Sequence, residues 1–182
     1  MNYETITLQI PGLTVAALAW GPKDGRPVLA LHGWLDNASS FERLAPLLEG
    51  VRLVALDLPG HGGSSKALTD GSVAALAGAV HKFMDALGIE QAHLVGHSLG
   101  GAVALAFALG HAGRAASLTL ICSAGLGTEI NSEYIQGFIT SGRRKEIKPW
   151  LEQLFADPSL VSRQLVDDIL KFKRLDGVED AL

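Results

Sequence analysis

Four short apolar runs divide the first two thirds of the chain, at residues 27–31, 51–56, 93–95 and 117–122. Continuous apolar runs of this length are typical of strands that are covered on both faces of a sheet. Longer helical or loop segments separate the runs, and parallel strands require such crossover connections. The alternation therefore predicts an α/β fold with a doubly wound, mostly parallel sheet and right-handed crossovers.

An N-terminal hairpin precedes these runs. Residues 5–10 and 13–20 both look extended, and Pro11-Gly12 lies between them. A Pro-Gly pair marks a turn, so the two segments are expected to pair with each other. The hairpin should form the antiparallel edge of the sheet.

Helices are predicted in the connections. Helical spacing of apolar residues covers residues 72–87 and ends at Gly88, and a second helix is predicted over residues 99–109. Ser39 and Glu42 fit a capping box, so a further helix is expected after the first apolar run. The apolar face of that helix would consist of Phe41, Leu44, Ala45 and Leu48.

The pattern changes after Cys122. Residues 123–182 contain only helix-like segments, which Asp157-Pro158-Ser159 interrupts. We therefore predict an α/β core over residues 1–122 and a helical cap region over residues 123–182. The aromatic residues of this region either line a pocket or form its core: Tyr134, Phe138, Trp150 and Phe155. An apolar stripe is expected near its end: Leu160, Leu165, Val166, Ile169, Leu170 and Phe172.

Composition argues against several classes of protein. Apolar residues make up 48% of the chain and charged residues 19%, which is typical of a globular protein. The net charge of −4 and the lack of a basic stripe argue against nucleic acid as a partner. No apolar stretch matches a membrane span, and the N-terminus lacks the pattern of a signal peptide. The single cysteine, Cys122, suits a cytoplasmic location, and its apolar surroundings predict that it is buried.

One serine stands at the junction of a predicted strand and a predicted helix. The sequence GHSLG has the pattern G-x-S-x-G, with Gly96 and Gly100 on either side of Ser98. A serine in such a tight turn projects its hydroxyl clear of the sheet, and small neighbours let strand and helix approach closely. The pattern predicts that Ser98 is a catalytic nucleophile. The alternative is a serine that only caps the helix.

Two backbone amides are candidates for stabilising negative charge beside this serine. The Leu99 N–H lies at the helix N-terminus, where the helix dipole favours an oxyanion. The Trp34 N–H, in His32-Gly33-Trp34 after the first apolar run, is expected to be the second donor. Hydrogen bonding that holds this loop is the expected role of His32, with proton transfer as the alternative. The Trp34 ring fits either the core or a substrate contact.

Structural roles are expected for the other histidines and for one aspartate. Asp57 should bind loop N–H groups and His61 should belong to a glycine-rich turn, with a place in a catalytic triad as the alternative for both. His97 is expected to point away from the pocket, and His81 to be solvated. Because no two histidines share metal-ligand spacing with a third donor, the sequence predicts neither a metal nor a cofactor.

Three motifs, in this order, resemble the α/β-hydrolase superfamily: HGWLDN, ALDLPGHGGSS and LVGHSLGG. The resemblance covers residues 13–122 and implies a nucleophile at Ser98, oxyanion donors at Trp34 and Leu99, and a cap after the sixth strand. The superfamily places the triad acid and histidine after two further strands, which this sequence lacks. We therefore expect a fragment that stops within the cap, with a complete non-catalytic relative as the alternative. Its unpaired sheet edge would favour self-association.

A narrower resemblance covers the last third of the chain. LTLICSAGLGTEINSEYIQGF and LFADPSLVSRQLVDDILKFKRLDGVEDAL resemble the hydrolase-like domain of the E2 subunit, dihydrolipoyllysine-residue acetyltransferase, of acetoin dehydrogenase systems. Ordinary E2 acyltransferases use a His-x-x-x-Asp-Gly motif. Here Phe172 occupies the histidine position before Asp176-Gly177, so that chemistry is not supported.

Three functions are consistent with these features. The first is hydrolysis of carboxylic esters or thioesters through an acyl-enzyme on Ser98, with the triad acid and histidine missing from this chain. The second is an acyltransferase-associated domain of an acetoin-cleaving complex, and the third is a non-catalytic relative. The expected partner is a small-molecule ester or thioester, without nucleic acid or membrane. A serine without a base is a poor nucleophile, so the 182-residue chain alone should be nearly inert.

Overall fold

A computed structural model describes residues 2–66 and 68–174 of the chain. The chain divides into two compact units, Met1–Thr128 and Glu129–Leu182. The first unit contains the sheet and the second is helical within its described residues. None of the described helices is long and apolar enough to cross a membrane.

Six strands form one mixed sheet in the first unit, in the order β1-β2-β4-β3-β5-β6. Their bounds are β1 Glu4–Ile10, β2 Leu13–Trp20, β3 Arg26–Leu31, β4 Val51–Leu56, β5 Ala92–His97 and β6 Ala115–Ile121. The last four strands pair in parallel, and β1 with β2 forms an antiparallel hairpin that joins the sheet through β2 and β4. The predicted fold class is confirmed, including the hairpin at the edge.

Alternate residues of the central strands pack on opposite faces of the sheet. On one face, Leu29 and Leu31 pack with two helices, α1 (Val73–Ala86) and α2 (Leu99–Gly110). On the other face, Val28 and Ala30 belong to a smaller apolar cluster. Burial of strand residues on both sides explains why these runs are continuously apolar rather than alternating.

The prediction of a helix after β3 is wrong. Two short 3₁₀ turns, Ala38–Phe41 and Ala45–Leu47, occupy this connection, and their apolar side chains cover the second face of the sheet. Asn37 rather than Ser39 caps the first turn, because its side chain accepts the Ser39 N–H at 2.9 Å. Pro46 disfavours an α-helix at this point, because it has no N–H to donate and its ring crowds the preceding turn.

Three helices make up the described part of the second unit. They are α3 Ser132–Thr140, α4 Arg144–Glu152 and α5 Arg163–Lys173, with a 3₁₀ turn at Pro158–Leu160. Their apolar core consists of Phe138, Ile147, Leu151, Val161, Val166 and Leu170. Leu160 is 62% exposed, so its predicted place in the apolar stripe is wrong. Asp176-Gly177 lies outside the described residues.

A buried lysine closes the end of α3. Lys173 donates from Nζ to the carbonyl oxygens of Ser141 at 2.7 Å, Ile139 at 3.0 Å and Phe138. The last carbonyls of a helix have no intrahelical partner, so a cation placed there satisfies them. Nζ also lies 5.1 Å from the centroid of the Phe138 ring. The lysine thereby ties α5 to the end of α3.

The outer side of β6 pairs with no other strand in the described part of the chain. Thr119 and Ile121 are exposed there, and Leu118 and Leu120 are only half-buried. Cys122 follows this strand and is exposed, so its predicted burial is wrong. The reason is its position on an end strand, where no described element covers it.

We expect the 182-residue chain to self-associate through β6, because this strand has no charge or proline to block edge pairing. Sedimentation velocity at tens of micromolar should show dimers or larger species, and Thr119→Lys should shift them toward monomer. Thr7→Lys on β1, the other end strand, is the matched control and should have no effect. A wild-type chain that stays monomeric at every concentration contradicts the prediction.

Candidate active site

Ser98 has an unusual backbone conformation between β5 and α2. Its φ is 51° and its ψ is −115°. A non-glycine residue in such a sparsely populated region costs on the order of 1–3 kcal/mol, so its surroundings must hold it there. The Ser98 N–H donates to the Ile121 carbonyl at 3.0 Å, and the Ser98 carbonyl accepts the Ala124 N–H at 3.1 Å. The end of β6 therefore holds the serine from both sides.

Glycines allow three pieces of backbone to meet around this serine. A Cβ atom on Gly100 would lie 2.1 Å from the Leu31 carbonyl oxygen, and one on Gly96 would lie 2.5 Å from the Gly100 carbonyl oxygen. A Cβ atom on Gly101 would lie 2.2 Å from Ser123 Oγ. The first two positions are those of the sequence pattern. Gly101 was not singled out, although its place directly after the pattern is the signal that could have found it.

The Ser98 side chain makes no hydrogen bond within residues 2–66 and 68–174. In particular, it does not cap α2, since no backbone N–H of the helix donates to its hydroxyl. The residue as a whole is half-buried. The adjacent Leu99 N–H opens the helix, where donors lack an intrahelical acceptor. The arrangement offers a hydroxyl beside the positive end of a helix dipole.

The segment after β3 passes directly beside Ser98. A Cβ atom on Gly33 would lie 3.3 Å from Ser98 Cβ and 3.0 Å from His97 Nδ1. The structure thus brings together Gly33, His97 and Ser98, and Trp34 follows as a half-buried residue. The imidazole of His97 packs against this segment.

His32 ties this segment to the loop after β4. Its Nε2 accepts the Leu58 N–H at 3.0 Å, and its Nδ1–H donates to the Gly33 carbonyl at 2.7 Å. These two bonds require the neutral ring with the proton on Nδ1. Burial lowers the pKa of His32 to about 4, because the imidazolium would lose its hydration. The ring is therefore neutral at physiological pH and holds the loop.

His61 packs edge-on against His32, with ring centroids 5.1 Å apart. Its Nδ1–H donates to the Pro59 carbonyl at 3.2 Å, whereas its buried Nε2 has no hydrogen-bond partner in the described part of the chain. Burial lowers the pKa of His61 as well. Its place in the glycine-rich turn agrees with the sequence analysis, and it makes no hydrogen bond to Ser98.

Asp57 binds the backbone of two loops, as expected from its position at the end of β4. One carboxylate oxygen accepts the Ala38 N–H and the other accepts the Gly63 N–H, both at 2.7 Å. A Cβ atom on Gly62 would lie 2.1 Å from Asp57 Cγ, so the glycine-rich loop packs directly on the carboxylate. Lys66 braces the same loop by donating to the carbonyls of His61, Gly62 and Ser64.

The other histidines lie in two surface groups. The rings of His81 and His111 stack with centroids 4.0 Å apart, and His81 Nε2 lies 3.6 Å from Asp85. The expectation of a freely solvated His81 is therefore wrong. His93 Nδ1 and Ser117 Oγ are 2.8 Å apart. Among the described residues no histidine forms a hydrogen bond with Ser98, and no group of three or more His, Cys, Asp or Glu is arranged to hold a metal ion.

This fold and this strand-turn-helix junction define a class of protein. The chain belongs to the alpha/beta hydrolase fold family, whose pattern its residues 26–176 match. The similarity to solved structures agrees with this. A meta-cleavage product hydrolase from Pseudomonas fluorescens IP01 superposes with a TM-score of 0.86 at 25% identity, over 97% of this chain and 66% of that one. A membrane phospholipase A described as a bacterial virulence factor gives a TM-score of 0.77 at 28% identity, over 93% and 59%.

Similar sequences belong to two groups. Dihydrolipoyllysine-residue acetyltransferase components of acetoin cleaving systems are 48% identical in Pseudomonas putida, over 89% of this chain, and 49% identical in Cupriavidus necator, over 85%. A probable serine hydrolase from Drosophila melanogaster is 39% identical over 59% of this chain. The chain covers 44%, 42% and 34% of these three relatives, so it spans less than half of their length. Both resemblances stated from the motifs are confirmed.

Replacing Gly100 by alanine should destabilise the first unit by about 3 kcal/mol, because the new methyl group would overlap the Leu31 carbonyl. Urea unfolding of both proteins measures this. Gly78→Ala is the matched control: nothing lies within 4 Å of a Cβ there, and the helix should gain about 0.5–1 kcal/mol. Equal stability of Gly100→Ala and wild type contradicts the packing argument.

Stability should fall in mild acid because of the His32 ring. The unfolded state binds a proton near pH 6.5 and the folded state only near pH 4, so stability is complete above pH 6.5 and declines as the pH falls toward 4. We expect a loss of about 2 kcal/mol between pH 7.5 and pH 5, measured by urea unfolding. His32→Gln should lower stability at pH 7.5 but flatten this dependence; an unchanged slope in the variant argues against His32 as its source.

Proposed function

We propose that this chain carries the nucleophile of a serine-dependent hydrolase of carboxylic esters or thioesters. The observation that supports this proposal best is the backbone of Ser98, which is held at φ 51° while its hydroxyl does not cap α2 and has no hydrogen bond to any described residue. A serine that served only to cap α2 would need neither the strained backbone nor the glycines around it. The family of the chain and the serine hydrolase-like relatives support the same reaction class.

The proposed reaction proceeds in two steps. Ser98 Oγ attacks the carbonyl carbon, and the hydroxyl proton passes to a general base. The N–H groups of Leu99 and Trp34 stabilise the tetrahedral oxyanion, which collapses as the C–O or C–S bond breaks and the alcohol or thiol takes up a proton. Water then attacks the acyl-enzyme by the same route, releases the carboxylic acid and restores the serine.

We infer that the general base for Ser98 comes from outside the described residues. No described histidine forms a hydrogen bond with Ser98, and both oxygens of Asp57 already accept backbone N–H groups. An oxyanion site without its triad retains only about 10³–10⁴-fold catalysis over water. We therefore propose that the 182 residues alone hydrolyse esters slowly.

Acyl transfer is the second candidate, and the acetoin-system relatives favour it. These relatives are named as acetyltransferase components and are 48% and 49% identical to this chain. The chemistry shares the acyl-enzyme on Ser98 and differs only in the acceptor, a thiol or alcohol instead of water. A non-catalytic relative is the third candidate. A cytoplasmic setting is proposed for all three, because the single cysteine cannot form an internal disulfide.

The protein at its full natural length should react with a fluorophosphonate probe at Ser98. Mass spectrometry of the labelled peptide checks the site, and Ser98→Ala should remove the label. Ser117→Ala is the matched control, because Ser117 also lies near a histidine. Product analysis with a thioester substrate, with and without a dithiol, separates hydrolysis from transfer. Labelling that survives in Ser98→Ala contradicts the proposed nucleophile, and absence of labelling favours the non-catalytic relative.

A further inference from the structure

A strained leucine lies in the segment that follows Gly33. Leu35 has φ 62°, in the left-handed region that branched and bulky side chains rarely occupy. The Asp36 N–H donates to the Gly33 carbonyl at 3.3 Å, so the chain reverses direction around Trp34 and Leu35. The orientation of the Trp34 peptide therefore depends on a backbone conformation that leucine does not favour by itself.

Hydrogen bonds fix this segment at both of its ends. At the start, His32 donates to the Gly33 carbonyl at 2.7 Å. At the end, the Ala38 N–H donates to Asp57 Oδ1 at 2.7 Å. Neither partner belongs to the reversing residues themselves, so a strained turn is closed by contacts from outside it.

Asp57 is itself held rigidly at the end of β4. Its N–H donates to the Ala16 carbonyl at 2.9 Å, and its carbonyl accepts from Ser64 Oγ at 2.5 Å. Its second carboxylate oxygen accepts the Gly63 N–H. The side chain therefore anchors the loop at Ala38 to the end of β4 in the central sheet.

We propose that Asp57 is a positioning residue of the active site: it holds Leu35 in its left-handed conformation and thereby sets the direction of the Trp34 amide, which follows Gly33 in the segment that passes Ser98. This inference rests on the proposed function, in which that amide stabilises the oxyanion. Asp57 does not touch the reacting atoms. A carboxylate suits the position because two N–H donors converge on it, and charge-assisted hydrogen bonds are the stronger kind.

The chemistry of the position makes the possible replacements informative. Asparagine keeps one acceptor oxygen but presents an NH₂ group to the other N–H donor. Alanine removes both acceptors. Glutamate is longer and would meet Gly62, whose Cβ position already lies 2.1 Å from Asp57 Cγ. The expected order of site function is therefore Asp, then Asn, then Ala.

The test measures the rate of Ser98 labelling by a fluorophosphonate in the full-length protein. We expect Asp57→Asn to lower the maximal labelling rate about tenfold, since misplacing one oxyanion donor costs up to 10²–10³-fold. The probe concentration at half-maximal rate should stay within about twofold, because ground-state binding is not altered. Asp70→Asn is the matched control: its carboxylate accepts the Ser72 N–H, away from the site, and the rate should not change.

The same substitution made in a Leu35→Gly protein separates positioning of the Trp34 amide from general support of the fold. Leu35→Gly makes the left-handed conformation inexpensive, so the turn should depend less on Asp57. We expect Asp57→Asn to slow labelling only about threefold in that background, against about tenfold in the parent. Equal effects in both backgrounds overturn the proposed link between Asp57 and Leu35.

Another variant removes the same hydrogen bond from the donor side and leaves Asp57 intact. Ala38→Pro deletes the N–H at the first position of a 3₁₀ turn, where proline is tolerated, and Asn37 before it is already extended. It should reproduce the slower labelling, and a wild-type rate in this variant overturns the inference.

Hydrogen exchange distinguishes this inference from the proposed function. If wild-type Ser98 is not labelled at all, the proposed function fails. The exchange rate of the Ala38 amide still tests whether the hydrogen bond from Ala38 to Asp57 holds this segment. Faster exchange at Ala38 in Asp57→Asn than in Asp70→Asn supports the inference that Asp57 holds this segment. Identical exchange overturns it, whatever the labelling shows.

Discussion

The close approach of β5, α2 and the ends of two neighbouring strands is the constraint on which the site depends. It exists because Gly96, Gly100 and Gly101 have no Cβ atoms to separate the backbones. The approach places the Ser98 N–H within 3.0 Å of the Ile121 carbonyl and the Ala124 N–H within 3.1 Å of the Ser98 carbonyl. Those bonds offset the cost of the unusual serine backbone. The unusual backbone of Ser98 is thus a consequence of packing in the sheet.

A second set of interactions, the hydrogen bonds of His32 and Asp57, keeps the loop after β3 in place beside the serine. His32 is neutral because burial lowers its pKa to about 4. Its Nδ1–H donates to the Gly33 carbonyl, and its Nε2 accepts the Leu58 N–H. Each carboxylate oxygen of Asp57 accepts a hydrogen bond from a backbone N–H group. Polar side chains that are engaged in this way fix the geometry of the loop. These hydrogen bonds account for both side chains without a place in a catalytic triad.

The sequence predicts the sheet and the serine turn well because both follow from local patterns. Buried parallel strands must be apolar throughout, and the glycines around Ser98 must stand at fixed positions. The prediction fails after β3, where Ser39 and Glu42 fit a capping box but Pro46 disfavours an α-helix. Leu35 and Cys122 could not have been predicted, because a left-handed φ and exposure on an end strand depend on tertiary contacts. The stacking of His81 on His111 is equally non-local.

The two groups of similar proteins carry different names, yet the geometry around Ser98 does not distinguish between them. In the proposed reaction, the strained serine, the amide at the helix N-terminus and the loop held by His32 and Asp57 all act on formation of the acyl-enzyme. Hydrolysis and acyl transfer share this step and separate only when water or another acceptor attacks. The choice of acceptor depends on what excludes water and what binds the second substrate, neither of which is a property of the strand-turn-helix junction. In the proposed reaction the first unit therefore accounts for the covalent step, whereas the acceptor depends on groups other than this junction.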